Sequence, residues 1–395
     1  MKHLRNLLHS SPTSTSTSPT ASPPPHSSSV LSSRFHYNRH HMSNPHHHHL
    51  ELNMAEGRPK LFITADTNEF DLVELGKWEA EGYEVQYIPR ADTHALELLG
   101  DSMESDEKYS IIAFGTAATI ALEYAMYPVS HLATLIAYYP TGLPSAFPSE
   151  TFPRQIRRIL LHLSDAQPFS ISENSCKSLK VRVYQDTKPG FAEKATINYN
   201  RTSANLAYTR TLAALRETVG PEIDLEDIWG EHLLYEFVEK DVDKTMDTMV
   251  KEPYVNHIPT MTGGVGYADL HRFYKDFFIP NNPPSLRLRL VSRTVGSDRI
   301  VDEMICSFTH TCEIHWMLPG VKPTGRDVSV ALVSIVCVRG NKLYHEHIYW
   351  DQASVLKQIG VVDFGNLPVA GPEAARKVED KDSEASNLML PSWKV

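Results

Sequence analysis

Cysteine is scarce in this chain. The four present, Cys176, Cys306, Cys312 and Cys337, show no CxxC spacing and no apolar signal-peptide core accompanies them. That pattern excludes a disulfide scaffold and implies a reduced intracellular protein. Long apolar runs are missing too. The most hydrophobic stretch, residues 111–139, is interrupted by Glu123, Pro128 and His131, which suits a buried sheet better than a membrane span. Acidic residues are absent from residues 1–50 only. Four of the 38 Lys and Arg fall there, and the whole chain still carries a formal charge of −10. The body is therefore strongly acidic, which argues against nucleic acid or an anionic membrane as the main partner.

Residues 1–57 are rich in Ser, Thr, Pro and His, and ten of the twenty histidines lie in the first 53 positions without any hydrophobic period. Such a segment cannot bury enough apolar surface to fold, so a disordered leader is expected. A cytoplasmic location follows from the cysteines. The basic, Ser-rich, acid-free start, opening MKHLRNLL, makes mitochondrial import the alternative, and Met54 is an alternative start.

The remaining chain is long enough for two units, with 41% hydrophobic and 9% aromatic residues overall. Over residues 58–222, strand-like runs (KLFITAD, EVQYIPR, YSIIAFG, ATLIAYYP, RRILLHLS, LKVRVYQD) alternate in the first half with helical ones. This rhythm predicts an α/β unit with a mainly parallel sheet. From residue 226 to 363 the period changes. Helical spacing at Trp229, Leu233 and Phe237 and at Leu270, Phe273, Tyr274, Phe277 and Phe278 precedes four long alternating runs joined at GSD and RGN. Helices followed by a long antiparallel sheet predict an α+β unit shaped as a cone, whose open mouth would admit a small-molecule substrate. The charge-rich, Pro-bearing residues 364–395 read as a mobile tail.

The most informative stretch runs from Phe308 to Gly360. A period of two sends His345, His347, Tyr349 and Asp351 to one face of the strand KLYHEHIYWD, and Glu346, Ile348 and Trp350 to the other. A row of ionisable groups on a strand is costly unless it lines a cavity, so the first face is the expected wall of a pocket. By the same alternation Asp302 shares a face with Met304, Phe308 and His310, and His257 precedes a Gly pair near the expected mouth. Other roles are open for each. Asp351 stands where it could cap the following helix, His310 could be a hydrogen-bonded core residue, Asp302 a solvated edge acid and His257 a loop histidine. Tyr349 and Trp350 would serve as wall aromatics. The three C-terminal histidines lack a recognisable ligand motif, so no metal is expected.

Two resemblances add to this. IIAFGTAAT resembles the nucleophile elbow of the dienelactone hydrolase group of α/β-hydrolases, and KPGFAE resembles that group's His-Gly-Phe segment. The resemblance implies a reduced hydrolase domain without its chemistry, because Ala117 stands at the nucleophile position and Pro189 at the histidine position. FTHT, LPGVKPTGR, RGNKLYHEH and WDQASVLKQIG, in that order, resemble the SnoaL-like polyketide cyclase branch of the NTF2-like superfamily, which also contains ketosteroid isomerase and scytalone dehydratase. Together the two halves resemble a fungal-type fusion of such domains.

The second resemblance implies Asp351 as general acid and base, with His310 and His347 as catalytic partners and His345, Tyr349, Trp350, His257 and Asp302 around the substrate. It implies cofactor-independent cyclase, isomerase or dehydratase chemistry on a polyketide-like or carbonyl-bearing molecule, in secondary metabolism, and a homodimer through the C-terminal domain. An ester hydrolase of the carboxymethylenebutenolidase kind and a non-enzymatic binding or dimerisation protein are the alternatives.

Overall fold

The structure, a computed structural model, describes residues 57–145, 152–171 and 177–393. The expected leader up to residue 56 and Cys176 lie outside the described residues. Among the described residues no helix is long and apolar enough to cross a membrane.

The first unit is a six-stranded parallel sheet in the order β2-β1-β3-β4-β5-β6, formed by Lys60–Ala65, Glu84–Pro89, Tyr109–Phe114, Leu132–Tyr138, Arg158–Ser164 and Leu179–Tyr184 as β1 to β6. Every residue of β3 and β4 is buried. Continuous apolar strands of this kind are what a sheet covered on both faces requires. Helices α1 (Leu72–Ala80) and α4 (Arg201–Val219) cover one face through Trp78, Leu212 and Leu215. Helices α2 (Thr93–Asp101) and α3 (Gly115–Ala125) cover the other through Leu96, Ala121 and Leu122. Asp71, Asp92 and Asn200 cap α1, α2 and α4 by accepting first-turn N–H bonds, which fixes where those helices start.

The strand-turn-helix shape anticipated around Ala117 is present, but its open amides are taken. Asp66, at the end of β1, accepts from the Thr116 and Ala117 N–H groups, both at 2.9 Å. Gly115 has φ of +61°, and a Cβ there would lie 2.5 Å from Asp66 Oδ2, so the turn and the carboxylate require a glycine between them. Ala117 is buried, and the Pro189 carbonyl accepts from the Asn198 amide at 2.8 Å. Neither position offers a nucleophile or a base.

The second unit is a curved sheet in the order β8-β7-β12-β11-β10-β9, made from Met249–His257 (β7), Thr262–Val265 (β8), Arg287–Val295 (β9), Arg299–Thr309 (β10), Asp327–Arg339 (β11) and Lys342–Trp350 (β12). All pairings are antiparallel except β7 with β12, which run parallel. Its hydrophobic core includes helices α5 (Leu225–Leu233) and α7 (Tyr267–Arg272), packed with the inward face of the sheet. Both helices loosen into π-helical turns, Leu234–Glu239 and Phe273–Phe278. Helix α6 (Val242–Asp247) joins the first of these to β7, and α8 (Gln352–Ile359) follows β12. Within the span expected as a mobile tail, Pro372–Glu379 instead form helix α9, which packs on β11 and buries Ala375.

The units are joined by a buried ionic seam. Asp298 accepts from Thr209 and from Arg339, each at 2.6 Å, while Glu81 accepts from Tyr208 at 3.0 Å and Arg216 at 2.7 Å. Burial pushes the Asp298 pKa up, and the guanidiniums of Arg339 and Arg299 with the Thr209 hydroxyl more than reverse this. The Arg339 guanidinium stacks 4.7 Å from the Tyr208 ring. At the β11–β12 turn, Gly340 has φ of +62° and a Cβ on it would stand 2.5 Å from the Ala80 carbonyl oxygen. Gly340→Ala is therefore expected to cost about 1–3 kcal/mol through strain and lost closeness. Calorimetry should show a lowered Tm; an unchanged Tm would mean that this turn does not seat on α1.

Candidate active site

The inward face of the cone is set by its large apolar residues. Ile348 and Trp350 are buried in the core cluster, and because Glu346 lies on the same side of β12, their burial carries Glu346 inward. A register shift between Leu343 and His345 lets Leu343 also point into the core, while His345, His347 and Tyr349 take the other face. The partition of β12 into two faces is as expected from its period, but the pocket lies on the opposite side to the one predicted.

The cavity within the cone measures about 70 Å³, and its walls are mainly apolar: Leu233, Phe237, Val255, Phe278, Met304 and Ile348 among them. Into this lining project Glu236, Glu346, His257, Tyr274 and Ser334. Glu236 and Tyr274 both come from the π-helical turns, whose widened pitch brings extra side chains to the inner face.

Behind the cavity wall lies His232, fully buried in α5. Its Nδ1 is 2.6 Å from Thr248 Oγ1, whose own proton goes to the Thr245 carbonyl at 2.7 Å. Nδ1 must therefore carry the imidazole proton, leaving Nε2 as a lone pair. That Nε2 has no hydrogen bond of good geometry, and its neighbours are Glu346 Oε1 at 3.4 Å and Glu236 Oε2 at 3.9 Å. Tyr274 donates to the same Glu346 oxygen at 3.5 Å.

Desolvation dominates the protonation of this group. Burial raises the Glu346 pKa to about 8, against a smaller lowering by Tyr274, and raises Glu236 well above the carboxylate range with the Glu346 charge adding to it. Burial lowers His232 to about 3. At neutral pH the cluster thus holds neutral histidine facing protonated carboxyls, an arrangement that can give or take a proton with little charge separation.

His257 also lines the cavity. Its Nδ1 donates to the Thr262 carbonyl at 3.1 Å, so Nε2 is the acceptor, and burial lowers its pKa to about 4 despite that bond. Trp316 and Phe278 pack on its ring at 5.0 and 5.6 Å. Ser334 Oγ is buried without a partner, a hydroxyl left free beside Glu346 and Ile348.

The other predicted residues are placed elsewhere. Asp351 caps α8 by accepting the Ser354 N–H at 3.1 Å, and it is exposed at the strand end. Asp302 is buried but fully engaged: Arg293 grips both oxygens at 2.7 and 2.8 Å and the Trp229 indole N–H donates at 2.9 Å. It anchors Trp229, a wall residue, and does not itself line the cavity. His310 is buried beyond the cavity, 3.2 Å from Thr324 Oγ1, with burial lowering its pKa. His345 and His347 stack on each other at 4.8 Å on the outer face, where burial and then His347 lower His345 to about 4. Tyr349 is 40% exposed, whereas Trp350 is buried at the inner face and meets Trp316 edge-on at 5.4 Å. Among the described residues no group of three or more His, Cys, Asp or Glu could hold a metal ion.

Reasoning from sequence missed Glu346, Glu236 and His232. A signal existed for two of them. Leu225, Ile228, Trp229, His232, Leu233 and Glu236 form one helical stripe, so two ionisable residues sit in an apolar face.

Glu346, protonated when folded up to about pH 8 but deprotonated above about 4.5 when unfolded, contributes stability that is present at low pH and lost as pH rises through its folded value. Glu346→Gln should therefore match the parent near pH 5 and exceed it at pH 9, by on the order of a few kcal/mol. Parallel Tm curves for the two proteins across this range would contradict the buried, proton-bearing state. His232 acts with opposite sign, its neutral burial lowering stability as pH falls from 6.5 toward 3.

Comparison with known proteins bears on the second unit. The sequence model of the SnoaL-like domain family matches residues 231–346. Three solved structures resemble about a third of the chain. TsrD from Streptomyces laurentii is 19% identical over 36% of this chain and 100% of its own, with a TM-score of 0.29. A proposed SnoaL-like polyketide cyclase from Jannaschia sp. CCS1 is 18% identical over 36% of this chain and 100% of its own, with a TM-score of 0.28. IdmH from Streptomyces antibioticus, a proposed polyketide cyclase, is 19% identical over 34% and 97%, with a TM-score of 0.26. No curated protein matches the chain. The part of the cone that matches the SnoaL-like domain model reaches from before His232 to Glu346.

Proposed function

We propose that the cone performs general acid–base chemistry on a small carbonyl-bearing molecule, with Glu346 as the group that exchanges a proton with substrate carbon. The observation that carries this is the meeting of Glu346, Glu236 and His232 Nε2 at an apolar cavity, where burial raises both carboxyls well above the usual carboxylate range. Isomerisation, aldol cyclisation and dehydration share two requirements, removal of a proton from carbon and stabilisation of the resulting enolate oxygen. Glu346 meets the first in its deprotonated form, which becomes populated as pH rises toward about 8. The free Ser334 hydroxyl and the protonated Glu236 supply donors for the oxygen.

The cavity's size narrows the substrate. About 70 Å³ is small beside the roughly 300–1,000 Å³ of ordinary ligand sites, so the reacting end of a molecule fits and a bulky fused-ring ligand does not. The family likeness favours a polyketide-type carbonyl compound within that class. In the same reading, the N-terminal unit is a hydrolase-like scaffold without hydrolytic chemistry, since Asp66 closes the amides at Ala117.

The test is enzymatic deuterium exchange. In D₂O, the protein should incorporate deuterium α to the carbonyl of small ketones and β-dicarbonyls, followed by NMR. Glu346→Gln should reduce the exchange rate by about 10²–10⁴-fold with folding retained. Asp351→Asn should keep the rate and lose about 1 kcal/mol or less of stability, as a weakened cap would. No exchange with any of these compounds, or loss of exchange on Asp351→Asn with Glu346→Gln unaffected, would overturn the assignment.

A further inference from the structure

The larger cavity of the molecule lies outside the cone. It measures about 560 Å³, within the roughly 300–1,000 Å³ usual for small-molecule sites, and both units line it. Its N-terminal side includes the carboxyl ends of the parallel strands, at Thr67, Phe114 and Tyr138. This crevice adjoins β1 and β3, where the strand order reverses direction and open α/β sheets bind ligands. The second unit contributes Lys251, Arg339 and Tyr344. The amides at Ala117 do not border it.

Two features of the lining point to one kind of ligand. The first is a set of aromatic shelves: Phe114 stacks on Tyr138 at 4.7 Å, Phe70 lies 5.4 Å from Phe114, and Trp78 stacks on Tyr208 at 4.4 Å. Flat rings in this arrangement accept another flat ring by offset or edge contact. The second is a local group of two lysines on one carboxylate. Lys77 and Lys194 share the single carboxylate of Glu74, at 2.7 and 3.0 Å.

Among the described residues no other acidic side chain forms an ion pair with either lysine: Asp71 accepts from the Val73 N–H as the α1 cap, and Glu193 accepts from Tyr139 at 2.5 Å while burial raises its pKa. Burial also lowers the Lys77 pKa against the pull of Glu74, so the ammonium lacks full compensation. A ligand carboxylate completes the pair.

We infer that the cleft between the two units is a second binding site, for a planar aromatic carboxylic acid, with Lys77 and Lys194 holding the carboxylate and the Phe70 ring and the edge of Phe114 meeting the aromatic plane. The site depends on the fusion, since one wall belongs to each unit. It is separate from the chemistry assigned to the cone.

Calorimetric titration of the full chain with 1-naphthoate and with its neutral counterpart 1-naphthamide tests this. The acid should bind saturably and at least about tenfold tighter than the amide, equivalent to about 1.4 kcal/mol. Lys77→Gln with Lys194→Gln should remove that preference, and Lys194→Gln alone, at an exposed position, should reduce it if the double variant folds poorly. Tyr344→Ala should weaken both ligands, while Glu346→Gln in the cone should alter neither. Absence of saturable binding, equal affinity for acid and amide, or loss of binding on Glu346→Gln would overturn the site. The last result would move the ligand to the cone without touching the proton-exchange test.

Discussion

The chemistry proposed for the cone depends on the desolvation of Glu346. Ile348 and Trp350 require the interior, and the period of β12 takes Glu346 with them. Once inside, the carboxyl cannot stay charged cheaply, and the nearest groups are a second buried carboxyl and an imidazole whose Nδ1 proton is already fixed by Thr248. The hydrogen-bond direction Nδ1 to Thr248 to the Thr245 carbonyl then decides that Nε2 faces Glu346 as an acceptor. Apolar packing of β12 thus brings Glu346 against Glu236 and His232, while the threonine hydrogen bonds set the tautomer that faces it.

Much of the architecture was legible in the sequence because it rests on periodicity. The alternation from Lys60 to Tyr184 forms a parallel sheet, and the four long runs from Arg287 to Trp350 form neighbouring antiparallel strands. Their length makes the period of two unambiguous. What periodicity does not encode is which face of a strand turns inward. On β12 three ionisable or polar side chains oppose one glutamate and two large apolar residues, and apolar area, at about 25 cal/mol per Å², outweighs the cost of burying one neutral carboxyl. Counting ionisable groups pointed one way; weighing apolar surface points the other.

The helices were legible in type and less so in pitch. A strict spacing of four, as in Trp229, Leu233 and Phe237, exceeds the 3.6 of an α-helix, and α5 indeed widens into a π-turn before Phe237. Such turns put Glu236 and Tyr274 at the cavity together with the apolar stripe. The end of β12 was ambiguous for another reason. An aspartate before a helix serves as a cap whenever no stronger demand removes it, and Asp351 has the exposed, extended geometry of a cap.

The N-terminal unit contributes through its edges. Asp66 accepts from the amides at Thr116 and Ala117, so the Gly115 turn is tied to the end of β1 and presents no reactive atom. The same unit buries Glu81, uses Thr209 and Arg216 to engage Asp298 and Ser297 of the second unit, and sets Ala80 against Gly340. Charged groups held this closely are costly to bury singly and directional when paired, which makes the seam a poor source of net stability but a strict setter of orientation. Fixing that orientation places Arg339 and Tyr344 opposite Phe114 and Tyr138, and the cleft between the units exists only because of it.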